Sequence, residues 1–387
     1  MRRNKTFSFL IFVLFTGWGP QISGQGIIID HTCTNVTKIP ESAITQAKEK
    51  LHIGYGHTSH GSQITSGMTG LVEFANNGGL GLSLPKNILK WNNGGTDGAL
   101  DLEEGDGYGS GWLDHDCGYY PAWVNETREY LDDPSHDDVN VIMWSWCGQA
   151  SGRSEQEMID TYLAPMSQLE EDYPDVTFVY MTGHSDGSGE EGNLHLRNRQ
   201  IRDYCINNNK VLFDFYDIEC YDPDSNYFGD KYVSDDCSHS GGNWAVEWQN
   251  SHTEGIDWYN CSSAHSEPLN ANRKAYAAWW LWCKLAGWET ASDVNISNKS
   301  SILVVSQNYP NPFKTKTRIE FTVPKESDVS INIYNSTGKL MIQPVDRKYL
   351  PGKYNITINS EALSPGIYFY RFKTEGFSTV KKMSVVE

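Results

Sequence analysis

The chain has no Cys-x-x-Cys pair, which argues against a zinc ribbon. It has no apolar run beyond the first 25 residues that could span a bilayer, and the run from Phe7 to Phe15 is itself too short. It has no cysteine after Cys283, so the last hundred or so residues follow a different design. Basic residues are scarce between positions 26 and 300, where acids outnumber them more than two to one, while from Ser301 onward the balance reverses. A body that acidic repels nucleic acid and anionic membranes, and it makes a highly anionic polymer an awkward substrate.

Met1-Arg-Arg-Asn-Lys5, the apolar Phe7–Phe15 and the stretch from Gly17 to Gln25 read as a secretory signal peptide, with cleavage near Gly24 or Gln25. An exported, soluble protein is expected. Its 387 residues are too many for one ordinary domain. The eight cysteines, an even number in an exported chain, lead one to expect disulfides. The 13 Trp and 21 Tyr suit sugar rings, though they serve equally as core material.

The chain is organised around Leu51-His-Ile-Gly-Tyr-Gly-His-Thr-Ser-His-Gly-Ser-Gln-Ile64. Leu51, Ile53 and Tyr55 alternate as in a strand, and the strand breaks into an uncharged turn in which Ser59 lies between His57 and His60. Helical spacing follows from Gln63 to Ala75. Strand, tight turn, helix is the frame that presents a nucleophilic hydroxyl. Further strands are predicted at 139–146, 176–181 and 211–216, with helices at 42–50, 121–131, 155–171 (kinked at Pro165), 193–208 and 271–287. Two long stretches, 77–120 and 217–263, read as loops. The alternation predicts an α/β fold, a doubly wound parallel sheet with its site along one edge. A polar linker over 291–303 then leads to period-two alternation at 317–323, 329–334, 353–358, 366–372 and 381–386, a small antiparallel β-sandwich.

The tail, with Asn308-Tyr-Pro-Asn-Pro-Phe313, Ile331-Asn-Ile-Tyr-Asn-Ser-Thr-Gly338, Leu363-Ser-Pro-Gly-Ile-Tyr-Phe-Tyr370 and Lys381-Lys382, resembles the type IX secretion sorting domain of Bacteroidetes. That resemblance implies surface anchoring or release after outer-membrane export, with the type IX machinery as partner. The body, residues 26–290, resembles a divergent SGNH (GDSL-type) hydrolase. The resemblance implies Ser59 as nucleophile, His265 as base, and Gly95 and Gln149 as oxyanion donors. Family members place the acid three residues before the histidine, but here that residue is Ser262. Asp236 has the Asp-x-x-His spacing to His239, and a Cys237–Cys261 disulfide would bring it close to His265. His57, His60, His184, Trp144 and Trp146, at strand ends, are the expected substrate-binding residues.

No required cofactor is expected and no metal is placed among the site residues; the histidines leave a transition-metal site open but have no diagnostic spacing for one. The acidic loops Asp186–Glu191 and Asp222–Asn226 offer clustered oxygens for a structural calcium. The leading expectation is a carbohydrate-active esterase that removes acyl groups from a polysaccharide or oligosaccharide. A polysaccharide lyase or glycosidase on the same scaffold, and a surface glycan-binding protein without catalysis, are the alternatives, because a fold does not dictate its chemistry.

Overall fold

The computed structural model describes residues 26–105, 112–290, 304–323, 327–350, 352–374 and 377–386. The signal peptide and the linker over 291–303 lie outside the described residues. The chain divides into two compact units between Trp288 and Glu289.

In the first unit β1 (Ile28–Ile29) precedes α1 (Glu41–Lys50), β2 (His52–Gly56) and α2 (Ser62–Asn76). Next come β3 (Trp91–Asn92), β4 (Leu100–Glu104), α3 (Ala122–Asp132) and β5 (Val141–Trp144). A helical stretch follows, made of α4 (Glu155–Met158), a π-turn at Ile159–Leu163 and α5 (Ala164–Asp172). The wide turn sits just ahead of the kink expected at Pro165. Then come β6 (Thr177–Met181), α6 (Asn193–Asn207), β7 (Val211–Phe213), α7 (Phe215–Glu219), the ribbon of β8 (Ser238–His239) and β9 (Gly242–Asn243), α8 (Trp244–Ser251) and α9 (Pro268–Leu285).

Seven strands form one wholly parallel sheet in the order β1-β7-β6-β5-β2-β4-β3. The chain leaves β2 to build β3 and β4 on one side, then returns to place β5 on the other. The β2/β5 boundary is therefore the topological switch point, and its crevice at the carboxyl ends is where open α/β sheets bind ligands. β4 lies within a stretch read as loop, as does α8. The strand predicted at 211–216 stops at Phe213, because Asp214 caps α7 by accepting from the Asp217 N–H.

Near-continuous apolar strands mark a sheet covered on both faces. Trp144 and Trp146 belong to this core, 0 % and 2 % exposed. Trp144 packs on Trp123 and donates its indole N–H to the Thr127 hydroxyl at 2.9 Å, and Trp146 packs on Tyr162. Their expected substrate-binding role is thereby corrected: both side chains point into the protein. Helix α9 is buried on every face from Leu269 to Cys283 and packs along α2.

All eight cysteines are unpaired, so the expected disulfides are absent. Cys237 faces the Ser266 hydroxyl, and Cys261 faces the Pro268 carbonyl and the Asn272 amide. Six thiols are buried, where they pack as small apolar groups.

The second unit is a sandwich of two antiparallel sheets. β10 (Val304–Val305), β11 (Lys316–Val323) and β14 (Gly352–Asn359) form one. β12 (Ser327–Asn335), β13 (Leu340–Tyr349), β15 (Gly366–Thr374) and β16 (Phe377–Val385) form the other. Alternate residues of both sheets, among them Ile319, Phe321, Ile331, Tyr370 and Phe372, share one core.

Candidate active site

The exits of the adjacent strands β2, β5 and β6 deliver Ser59 and His60, Cys147 and Gln149, and His184 to one crevice. Two other segments close over it: the turn before β8, carrying Asp235, and the loop before α9, carrying His265.

Tight packing shapes the Ser59 turn. A β-carbon at Gly61 would sit 2.4 Å from the His57 β-carbon and 2.5 Å from the Ser145 hydroxyl. Only glycine lets α2 start that close to β5. Ser59 is exposed, and its Oγ lies 3.1 Å from Nε2 of His265, placed to donate to it. His265 takes a left-handed backbone conformation (φ 61°), which turns the loop before α9 toward Ser59. The loop is anchored by Gln63, whose side-chain amide donates to the Ala264 carbonyl at 2.5 Å.

Beside this dyad lies a second constellation. His60 is buried, with Nδ1 3.0 Å from Cys147 Sγ and Nε2 3.1 Å from an Asp235 carboxylate oxygen. Burial disfavours charge on His60, but the hydrogen bonds with Asp235 and Cys147 outweigh it and raise its pKa to about 9. Burial alone would push the Cys147 thiol up, yet the hydrogen bond and charge of His60 bring it down to about 7. His60 stacks on His184 at 3.7 Å with the planes 3° apart, and on His265 at 4.5 Å. Burial lowers the His184 pKa, so a neutral ring faces the charged one.

His60, His184 and Asp235 could also be read as a cation site. The stack argues against that for these rotamers. An imidazole lone pair lies in its ring plane and metal–nitrogen bonds are about 2.0–2.1 Å. Two parallel rings 3.7 Å apart cannot both aim at one ion.

Asp236 does not join His265. Its carboxylate accepts from the Ser234 hydroxyl and from the Ser238 N–H and hydroxyl, so it serves the turn, while its neighbour Asp235 enters the crevice. Gly95 is at the opposite edge of the sheet. A β-carbon there would lie 3.0 Å from that of Asp101, which pairs with His52 at the start of β2, roughly 13 Å of strand away from the Ser59 end. Gln149 does reach the nucleophile turn, but its amide donates to Asp116, which also accepts from the Thr58 hydroxyl at 2.6 Å. His57 is held by Glu104 at 2.9 Å and by the Thr58 carbonyl at 3.0 Å, which bolts the turn to β4. The carboxylates of Asp186 and Asp222, expected in calcium loops, accept from Ser188 and Asn226 in their own turns.

Cys147 and Asp235 were missed as site residues. The signal for Cys147 is its position directly after the apolar run at 139–146, at the exit of β5, beside the β2 exit that carries Ser59.

Beneath the crevice runs a buried polar chain. Glu219 accepts from the Ser185 N–H at 2.6 Å, from the Ser185 hydroxyl at 3.0 Å and from Lys274, and Lys274 also donates to Gln63. Lys274 and Glu219 are both 0 % exposed.

Residues 307–386 match the secretion system C-terminal sorting domain family. The tail is a type IX sorting domain, and it directs the protein through that route to the cell surface or exterior. No helix among the described residues is long and apolar enough to cross a membrane. Among solved structures the chain is similar to dimeric latent PorU from Porphyromonas gingivalis, at 22 % identity over 22 % of this chain and 9 % of that one, with a TM-score of 0.19. It is similar to PorZ, a surface component of the type IX secretion system of the same organism, at 16 % identity over 26 % and 13 %, with a TM-score of 0.16. An endo-β-1,4-mannanase from Thermotoga petrophila follows at 10 % identity over 65 % and 48 %, with a TM-score of 0.23. The chain thus spans about a tenth of the first two proteins and about half of the third. No curated protein matches it.

Proposed function

We propose that residues 26–290 are an exported hydrolase of the SGNH (GDSL) type that removes acyl groups from polysaccharide by serine acyl transfer. The observation that carries this reading is the 3.1 Å contact between Ser59 Oγ and His265 Nε2 at the switch point of a parallel sheet. His265 takes the hydroxyl proton as Ser59 Oγ attacks the acyl carbon, then returns it to the departing sugar oxygen. Water repeats the cycle on the acyl-serine. The Ser59 backbone N–H faces the developing oxyanion in this reading, in place of the misplaced Gly95. The buried chain from Glu219 through Lys274 and Gln63 to Ala264 holds the base against the nucleophile.

The test is product analysis with the full-length protein on acetylated and uronic-acid polysaccharides. Free acid from an intact backbone, absent with Ser59→Ala and His265→Ala, is the expected result. Shortened chains point to a glycosidase and unsaturated ends to a lyase. Binding without any product points to a glycan-binding protein. Each of these overturns the esterase reading.

A further inference from the structure

We propose that Cys147, His60 and Asp235 form a second nucleophilic centre in the same crevice, a thiolate–imidazolium pair that accepts acyl groups from aryl esters and thioesters. The inference takes its acyl-transfer chemistry from the function proposed above, but it does not depend on Ser59.

The geometry is that of nucleophile, base and orienting acid in one line. Cys147 Sγ lies 3.0 Å from one nitrogen of His60, and Asp235 lies 3.1 Å from the other. Each component comes from a different part of the fold: the exit of β5, the turn after β2, and the turn before β8. No local turn requirement explains their meeting. Asp236, the acid expected beside the serine dyad, is engaged instead by Ser234 and Ser238.

The charged groups around the pair favour the ionised form. The Asp235 carboxylate contacts His60 directly, the buried Glu219 acts on it from below, and His184 and His265 flank it as stacked rings. At the sulfur, the His60 hydrogen bond and charge favour the thiolate, together with the Gly148 N–H. Cys147 is half-buried rather than sealed, so a substrate in the Ser59 crevice can reach it. Ser59 Oγ and Cys147 Sγ are 3.7 Å apart, too close for both to carry acyl groups at once. They are alternative acceptors in one crevice.

Leaving-group chemistry selects the substrate class. Thiolate attack on an alkyl ester gives an intermediate that expels the thiolate far more readily than the alkoxide, whereas an acidic aryl oxide, or a second thiolate that takes the His60 proton as it leaves, competes with Cys147 for departure. The step balances without an outside reagent. Sγ forms a bond to the acyl carbon, the bond to the aryl oxygen or thiol sulfur breaks, and the leaving group takes the Nδ1 proton of His60. Neutral His60 then accepts a proton from water as the water oxygen attacks the thioester. The C–S bond breaks, the free acid leaves, and the thiolate–imidazolium pair is restored.

The test uses the full-length protein with two probes. Iodoacetamide modification of Cys147, followed by peptide mass spectrometry across pH, should show a midpoint near 7. At pH 6 it should run roughly ten-fold faster than an ordinary thiol, after allowance for the lower intrinsic nucleophilicity of an acidic thiolate. His60→Gln or Asp235→Asn should remove most of that advantage. p-Nitrophenyl acetate followed by acid quench should leave an acetyl group on the Cys147 peptide, labile to neutral hydroxylamine. The group should persist in Ser59→Ala and vanish in Cys147→Ala. A midpoint at or above the ordinary thiol value, or an acetyl group found on Ser59 alone or on neither residue, overturns the proposal. Acetyl on Ser59 alone leaves the serine reading intact. Acetyl on Cys147 with no polysaccharide deacylation overturns the serine reading and supports this one.

Discussion

Gln63, in the first turn of α2, donates its side-chain amide to the carbonyl of Ala264, the residue that precedes His265. Its oxygen accepts from Lys274 on α9. One side chain thus ties the nucleophile turn, the base loop and the buried helix together. Gln63→Met should leave the fold intact and lower ester hydrolysis by roughly a hundred-fold, because displacing a catalytic group by about 1 Å costs that much. Steady-state kinetics beside circular dichroism reads both. An unchanged rate would show that another contact holds the loop.

Ser59→Ala should reduce deacylation by at least about 10³-fold. Unfolding temperature should be unchanged, since the Ser59 side chain is exposed and contributes little packing. Near-normal turnover in that variant would remove serine from the mechanism.

Neighbouring carboxylates should behave differently. Asp235→Asn removes the charge opposite His60 and should move the Cys147 alkylation midpoint upward from about 7, because a less stabilised imidazolium supports the thiolate less. Asp236→Asn should leave the midpoint in place, since that carboxylate serves its own turn. Equal shifts from the two substitutions would mean that the turn, rather than the Asp235 contact, sets the thiol.

Lys274→Met should destabilise the first unit by about 3–5 kcal/mol, because Glu219 would lose the cation that faces it in a fully buried ion pair. Chemical denaturation measures this. The double variant with Glu219→Gln should recover part of the loss. A small effect in the single variant would show that the Ser185 N–H and hydroxyl alone hold Glu219 in place.

Ending the chain after Thr290 should give a folded, active first unit that its host no longer delivers to the cell surface. The two units are separately compact, and the sorting family covers only residues 307–386. Surface proteolysis and culture fractionation report the location. An aggregated, inactive product would show that the tail is needed for the first unit to fold.

The sequence by itself determined the parts whose information is local. Period-two alternation with turn residues located five of the tail strands, and the apolar runs ending in polar turns located β2, β5, β6 and the start of β7. Ser59 and His265 were legible for the same reason, each lying beside a strongly patterned element. β4 was not, because Asp101, Glu103 and Glu104 give a covered strand the composition of a loop. Only the tertiary structure decided the rest. Trp144 and Trp146 sit at a strand end, and which face that end presents depends on α3 and the π-turn packed against it. The even cysteine count pointed to pairing, whereas the fold buries six thiols apart from one another and leaves Cys147 beside His60. The pairing of His60 with Cys147 and Asp235, 87 and 175 positions along the chain, follows from β5 lying next to β2 and from the turn before β8 closing over their ends. Strand order and loop closure are properties of the whole packed chain, and no window of sequence contains them.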